Sequence, residues 1–121
     1  MPAAYEALVA ALKATDIPFE EYGWKTRPQG IHGVITPDME AGSMDGDGGK
    51  LDRSWETSID VWFSRKADRR RVISTVESVL RAECGSCWDL NSSQYETTTR
   101  LFHIEWVCET AGDITPEEED D

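Results

Sequence analysis

Residues 53–64 read Arg-Ser-Trp-Glu-Thr-Ser-Ile-Asp-Val-Trp-Phe-Ser, and they decide the fold. Trp55, Thr57, Ile59, Val61 and Phe63 alternate with Glu56, Ser58, Asp60, Trp62 and Ser64. A period of two places the odd positions on one face of a strand, toward a core, and the even positions on the other. Downstream, residues 100–109 repeat the pattern, with Phe102, Ile104, Trp106 and Cys108 against Leu101, His103, Glu105 and Val107. Residues 88–96 predict a partner strand, with Trp88, Leu90, Ser92 and Gln94 on one face and Asp89, Asn91 and Tyr95 on the other. The short connector Thr97-Thr98-Thr99 makes these two a hairpin. Upstream, residues 31–36 predict a strand closed by Pro37, joined to 53–64 as an antiparallel hairpin. Residues 18–24 read as a short strand or an irregular extended piece.

Two stretches carry the helical period instead. Tyr5, Leu8, Val9 and Leu12 recur at i, i+3, i+4 and i+7 within an Ala-rich segment, so residues 3–15 predict a helix. Val72, Ile73, Val76, Val79 and Leu80 form one stripe, so residues 67–83 predict a second. Ser64 or Asp68 is placed to cap its start and Gly85 to end it. The order α-β-β-α-β-β predicts an α+β fold: an antiparallel sheet of four to five strands packed on one face by two helices. Residues 1–110 are expected to form one domain, with a long acidic loop at 37–52 and a disordered acidic tail at 111–121.

Charge sharpens this division. Twelve Lys and Arg against 24 Asp and Glu leave a net charge of −12 on 121 residues. Residues 38–52 hold Asp38, Glu40, Asp45, Asp47 and Asp52 against the single base Lys50, and the last five residues are all acidic. The rest of the chain is nearly balanced. A surface this negative repels phosphate, which argues against general nucleic-acid or anionic-membrane binding. No apolar run approaches the ~20 residues of a membrane span. The three cysteines, an odd number without a signal peptide, argue against a secreted disulfide framework and for a reducing cytosol.

Few residues suggest chemistry. Cys84-Gly85-Ser86-Cys87 has the CxxC spacing, but it falls at the C-terminal end of the second predicted helix, where the dipole disfavours a thiolate. A zinc site would have to recruit Cys108 and His103, which point to opposite faces of one strand. A helix-to-strand turn is the stronger reading. The run from Asp45 to Glu56 fails the calcium-loop pattern, with Gly49 and Lys50 where a ligand and a glycine are required. His32 and His103 have no nucleophile motif nearby in sequence, and neither GxSxG nor a phosphate loop occurs. No metal or cofactor is expected.

Two surface features suggest association. Arg65, Lys66, Arg69, Arg70 and Arg71 cluster at the start of the second helix, where the macrodipole disfavours positive charge. They read either as a solvated face or as the basic half of an interface in a ring of identical subunits. Trp62 falls on the outer face of its strand, as an interface anchor or a side chain covered by a terminus or the first helix.

The segments Trp55–Ser64, Trp88–Glu96 and Leu101–Glu109 resemble the C-terminal half of the small tail-completion or tail-terminator proteins of long-tailed bacteriophages. There a strand leads to a helix and then to a hairpin whose first strand ends near Tyr-Glu (Tyr95, Glu96) and whose second reads His-hydrophobic-Glu-Trp (His103 to Trp106). The N-terminal helix and a hairpin with a long loop also fit, so the resemblance spans residues 3–110. It implies a non-enzymatic virion protein, a ring, often hexameric, that caps the tail tube and joins it to the head connector. The partners implied are further copies of itself, the tail tube protein and the connector. The acidic loop would face a lumen through which DNA slides without specific binding, and assembly would occur in the host cytoplasm. The CxxC and the acidic tail have no place in that pattern. The alternatives are another head–tail connector or neck protein, an acidic binding or inhibitor module that engages a basic partner, and an enzyme using Cys84, Cys87 or His103.

Overall fold

The computed structural model describes residues 1–42 and 53–112. The elements are α1 (Ala3–Lys13), β1 (Phe19–Glu21), β2 (His32–Gly42), β3 (Arg53–Phe63), a single 3-10 turn (Lys66–Asp68), α2 (Arg69–Cys84), β4 (Trp88–Glu96) and β5 (Leu101–Ala111). One five-stranded sheet runs in the order β1-β2-β3-β5-β4. Every pairing is antiparallel except β1 with β2, so the sheet is mixed. The fold is α+β, and α1 and α2 pack side by side on one face of the sheet. No described helix is long and apolar enough to cross a membrane.

The core is built largely from the predicted stripes, with Trp55, Ile73, Val79 and Phe102 only partly buried at its margin. Tyr5, Leu8, Val9 and Leu12 of α1 and Val72, Val76 and Leu80 of α2 are buried against Ile35, Ile59, Val61, Phe63, Ile104 and Trp106. Alternation in β3 holds: Thr57, Ile59, Val61 and Phe63 are buried, and the even positions lie on the sheet's outer face. Trp106 stands at the centre, fully buried, and its indole N–H donates to Glu77 Oε2 of α2 at 3.0 Å.

Four sequence expectations need correction. Pro37 does not end β2. The strand continues to Gly42, absorbing the proline and Asp38 in an irregularity between Pro37 and Met39, so the connection to β3 is shorter than 37–52. An edge position allows this, because a proline there breaks no ladder hydrogen bond toward β3. β4 does not keep one parity. A bulge between Leu90 and Ser92 leaves Asn91 unpaired, so Trp88 and Leu90 face the helical side while Ser92 and Gln94 face outward. Asp68 stands before α2 but makes no side-chain cap; the chain enters through the 3-10 turn instead. Gly85 does end α2, at φ +60°. Finally, β5 runs to Ala111, inside the expected tail; residues 113–121 lie outside the described residues.

The parallel strand β1 is held by a close approach. Phe19 lays its ring over Gly33 of β2, where an added Cβ would stand 2.2 Å from the ring. Gly33 N–H donates to Pro18, and Tyr5 Oη–H donates to Glu21 Oε2 at 2.7 Å. Gly33→Ala is therefore expected to lift Phe19 out of the core and destabilise by about 1–3 kcal/mol. Urea unfolding checks this: combined with Phe19→Ala, the alanine at 33 should add little, because its clash is gone.

Candidate functional site

The sheet register brings together three rings that are far apart in sequence. His32 of β2 lies opposite Trp62 of β3, and Trp62 lies opposite His103 of β5. All three side chains project from the face without helices. The Trp62 ring stacks between the two imidazoles, with centroids 5.6 Å from His32 and 4.4 Å from His103.

The two histidines are held in opposite states. His103 Nε2 bonds Asp60 Oδ1 at 2.7 Å, and Nδ1 bonds Glu96 Oε2 at 2.8 Å. Both acceptors are carboxylates, so both ring nitrogens carry hydrogen and the ring is an imidazolium. The hydrogen bond to Asp60, then that to Glu96, raises its pKa above the ordinary value despite burial. Burial would raise the Glu96 carboxyl, but hydrogen bonds from Thr99, His103 and Trp62 outweigh it and lower it. Asp60, His103 and Glu96 thus tie β3, β5 and the end of β4 together. An imidazolium bonded on both sides has no lone pair to take a proton from a nucleophile, so this trio is a clamp in geometry rather than a base.

His32 is only 2% exposed. Its Nδ1–H donates to the Gly30 carbonyl at 2.8 Å, and Nε2 meets no partner. Burial, with the nearby Arg27 charge, lowers its pKa and keeps it neutral. The segment 22–31 produces this environment. Because β1 and β2 are parallel, the connection must run back along the sheet. In doing so it brings Trp24 and Arg27 onto the outer face: Trp24 Nε1–H donates to the Gly33 carbonyl at 3.0 Å, and the Arg27 guanidinium lies 5.0 Å from the Trp62 ring centroid.

Trp62 is therefore half-buried, and it is covered by neither a terminus nor the first helix. The basic cluster lies on the helical side instead. Arg71 pairs with Asp16 at 2.7 Å, Arg69 donates to Ser93 at 3.2 Å, and Arg65 sits 3.8 Å from Asp68. Lys66 and Arg70 are exposed and meet no partner among the described residues. Of the acidic loop, Asp38 is exposed at the β2 irregularity and Glu40 lies in β2 opposite Trp55. Asp45, Asp47 and Asp52 lie outside the described residues, as does the run weighed as a calcium loop up to Asp52; its last four residues, 53–56, belong to β3.

The cysteines pair differently from their spacing. Cys87 is exposed, while Cys84 and Cys108 are buried and hydrogen-bonded to each other. That bond, and burial, push the Cys108 thiol far up. Among the described residues no three His, Cys, Asp or Glu side chains are placed to hold a metal ion. At this end of the outer face Glu56 and Glu109 stand directly opposite each other, and with Asp89 they line a shallow cavity beside Cys87. Like charges in such a pair oppose folding.

Sequence reading missed Trp24, Arg27 and the meeting of the two histidines. Parity alone puts His103 and Trp62 on outer faces, but only the register of both pairings shows that they stack. Nothing local marks residues 22–31. A scan of protein-family models and a search of curated proteins each found no match.

Proposed function

We propose that the chain is a structural virion protein of a long-tailed bacteriophage, forming a ring that ends the tail tube and joins it to the head connector. The observation that carries this reading is the sequence of elements. An N-terminal helix, a long hairpin with an acidic connection, a helix and a second hairpin follow in the order that the resemblance over residues 3–110 implies.

The distribution of charge supports it. Lys66 and Arg70 leave a basic end on the helical side, and Glu56, Asp89 and Glu109 gather acids on the outer face. Two unlike patches on different sides of one molecule suit heterologous, head-to-tail contacts, which close into rings when the rotation per subunit allows. The alternative of an acidic module gripping a basic partner rests on an exposed Trp62 and on the acidic tail; Trp62 is half-buried among His32, His103 and Arg27, and residues 113–121 lie outside the described residues. Another neck component shares the ring chemistry and is separated from a tail terminator by its partner, the connector rather than the tube.

The test is light scattering on a sizing column with negative-stain images, for the chain alone and with tail tube protein added. Rings are expected, at the latest on the tube. The double reversal Lys66→Glu with Arg70→Glu is expected to abolish them while leaving the unfolding midpoint within about 0.5 kcal/mol of the parent, as for other exposed positions. A monomer under every condition, tube protein included, overturns the proposal. In the assembled phage, Asp45→Lys with Asp47→Lys should impair tail joining or DNA passage by making the loop adhesive to phosphate.

A further inference from the structure

The large hydrophobic side chains that the molecule leaves in water sit at the two ends of its sheet. Among the described residues they are Met1, Tyr22, Leu90 and Tyr95. Met1 and Tyr22 belong to the flank where α1 overlies β1, and Leu90 and Tyr95 belong to β4 at the opposite end. Single apolar residues dotted over a surface are ordinary, but four confined to two opposite flanks are not scattered. We propose that copies of this chain associate head to tail, with Tyr95 and Leu90 of one copy entering a cavity beside α1 of the next. The contact rests on the ring reading in that copies meet, and it names the surfaces by which they do.

The projecting half arises because two helices do not cover five strands. α2 packs on β5. It touches β4 where Arg69 donates to Ser93 at 3.2 Å and where the Arg81 guanidinium lies 6.0 Å from the Trp88 ring centroid. No residue of β4 is buried. Tyr95 lies opposite Phe102 and Leu90 opposite Trp106, so both side chains stand on the helical side, where their own chain leaves them open. Tyr95 meets Phe102 edge-on at 4.9 Å, which holds its ring upright. A tyrosine fixed in this way gives up little freedom on binding, and tyrosines are common interface anchors. The receiving half is a cavity of about 390 Å³ between α1 and β1, walled by Met1, Tyr5, Val9 and Ala10. Glu6 and Glu21 edge it, with Lys13 at its far end. Its volume falls among ligand-sized pockets, roughly 300–1,000 Å³, which leaves room for an aromatic ring. The Tyr5 hydroxyl already donates to Glu21, so it places no spare donor in the apolar wall.

Charge favours the same match. Arg69 and Arg81, both exposed, border the projecting side chains, whereas the cavity is bordered by Glu6, also exposed, and Glu21. A two-fold pairing of β4 with β4 would bring like arginines together and leave the cavity empty. A small apolar ligand in the cavity would leave Tyr95 and Leu90 in water. Head-to-tail contact uses both flanks and sets unlike charges against each other. It joins unlike surfaces from opposite ends of one molecule, the arrangement that closes into a ring or runs on as an open chain. The contact is made by side chains on the helical side and needs no main-chain hydrogen bonds between strands of different copies.

Two exposed substitutions in the full chain test the contact. Ala10→Arg fills the cavity, and Tyr95→Lys removes the ring that enters it, with Leu90→Lys as a second variant on β4 should the first fold poorly. Urea midpoints check that each keeps the fold. In light scattering over a concentration series up to about 1 mM, high enough to register a weak contact, the mass of the parent is expected to rise. Each variant alone should associate roughly tenfold or more weakly. Mixed in equal amounts, Ala10→Arg and Tyr95→Lys chains should form one-to-one pairs and nothing larger, because the first keeps an intact β4 and the second an intact cavity. A parent that stays monomeric over this range, association that the variants leave unchanged, or a mixture that forms no pairs overturns the contact. So does pairing of Ala10→Arg alone as readily as the parent, which would mean β4 meeting β4. Rings formed on tail tube protein would survive any of these results and keep the ring reading standing, whereas a monomer with tube protein added removes that reading as well.

Discussion

His103→Gln is expected to cost roughly 2–3 kcal/mol at about pH 6 and much less at pH 9. The lower figure than the 3–5 kcal/mol of a fully buried ion pair reflects partial solvent access: the side chains of Asp60, His103 and Glu96 keep 15–26% of their exposure. Removing the imidazolium leaves two carboxylates beside Trp62 with no cation between them. The sign follows from linkage. The folded pKa of His103 is raised, so its contribution is complete below the unfolded value of about 6.5 and is lost as pH rises through the folded value. Glu96 is lowered, so its contribution is present above the ordinary glutamate range and is lost as pH falls through its folded value. The parent protein should therefore be most stable in weakly acidic solution and decline toward alkaline pH. Urea midpoints between pH 5 and 9 measure this. The glutamine variant should lack the alkaline decline, and an unchanged slope would remove His103 from the account.

Trp106→Ala should cost more, about 3–5 kcal/mol, because it empties the centre of the core. The side chain is fully buried, and its loss also takes the donor from Glu77 Oε2, leaving that carboxylate with Arg81 at 3.9 Å. A domain of this size has only roughly 5–15 kcal/mol in all, so the variant should unfold at far lower urea and is at risk of poor recovery. Trp106→Phe separates the two contributions: it keeps most of the apolar area and loses only the hydrogen bond. A loss of about 1–2 kcal/mol is expected from the lost donor to Glu77 Oε2 and the smaller ring.

The same two regions show how far the sequence could be read. β3 and β5 are legible because the unbroken alternation over 55–64 and 101–108 has no competing explanation, and α1 and α2 because their stripes fit 3.6 residues per turn. β4 defeats alternation at Asn91, where one extra residue reverses the parity and where an asparagine with its side chain on Glu105 gives no advance signal. β1 is three residues long and parallel, and it exists because Phe19 packs over Gly33, a contact between positions fourteen apart. Pro37 looks like a terminator until the edge position of β2 is known. The histidine–tryptophan stack depends on two registers at once. Charge clusters were legible as clusters, but the sequence could not separate Arg71 and Arg69, which are spent on Asp16 and Ser93, from Lys66 and Arg70, which are not.

The short reach of β1 has one more effect. It covers β2 only along Gly33–Ile35, so from Thr36 to Gly42 that strand has no neighbour on its outer side among the described residues. Such a rim is an invitation to uncontrolled stacking of one molecule on another. Here the rim opens with a proline that has no N–H to offer, bends at Asp38, and carries Glu40 further along. A fibre propagating by strand addition would stall there. Edge-to-edge growth between copies of this chain is therefore disfavoured along that side of the sheet.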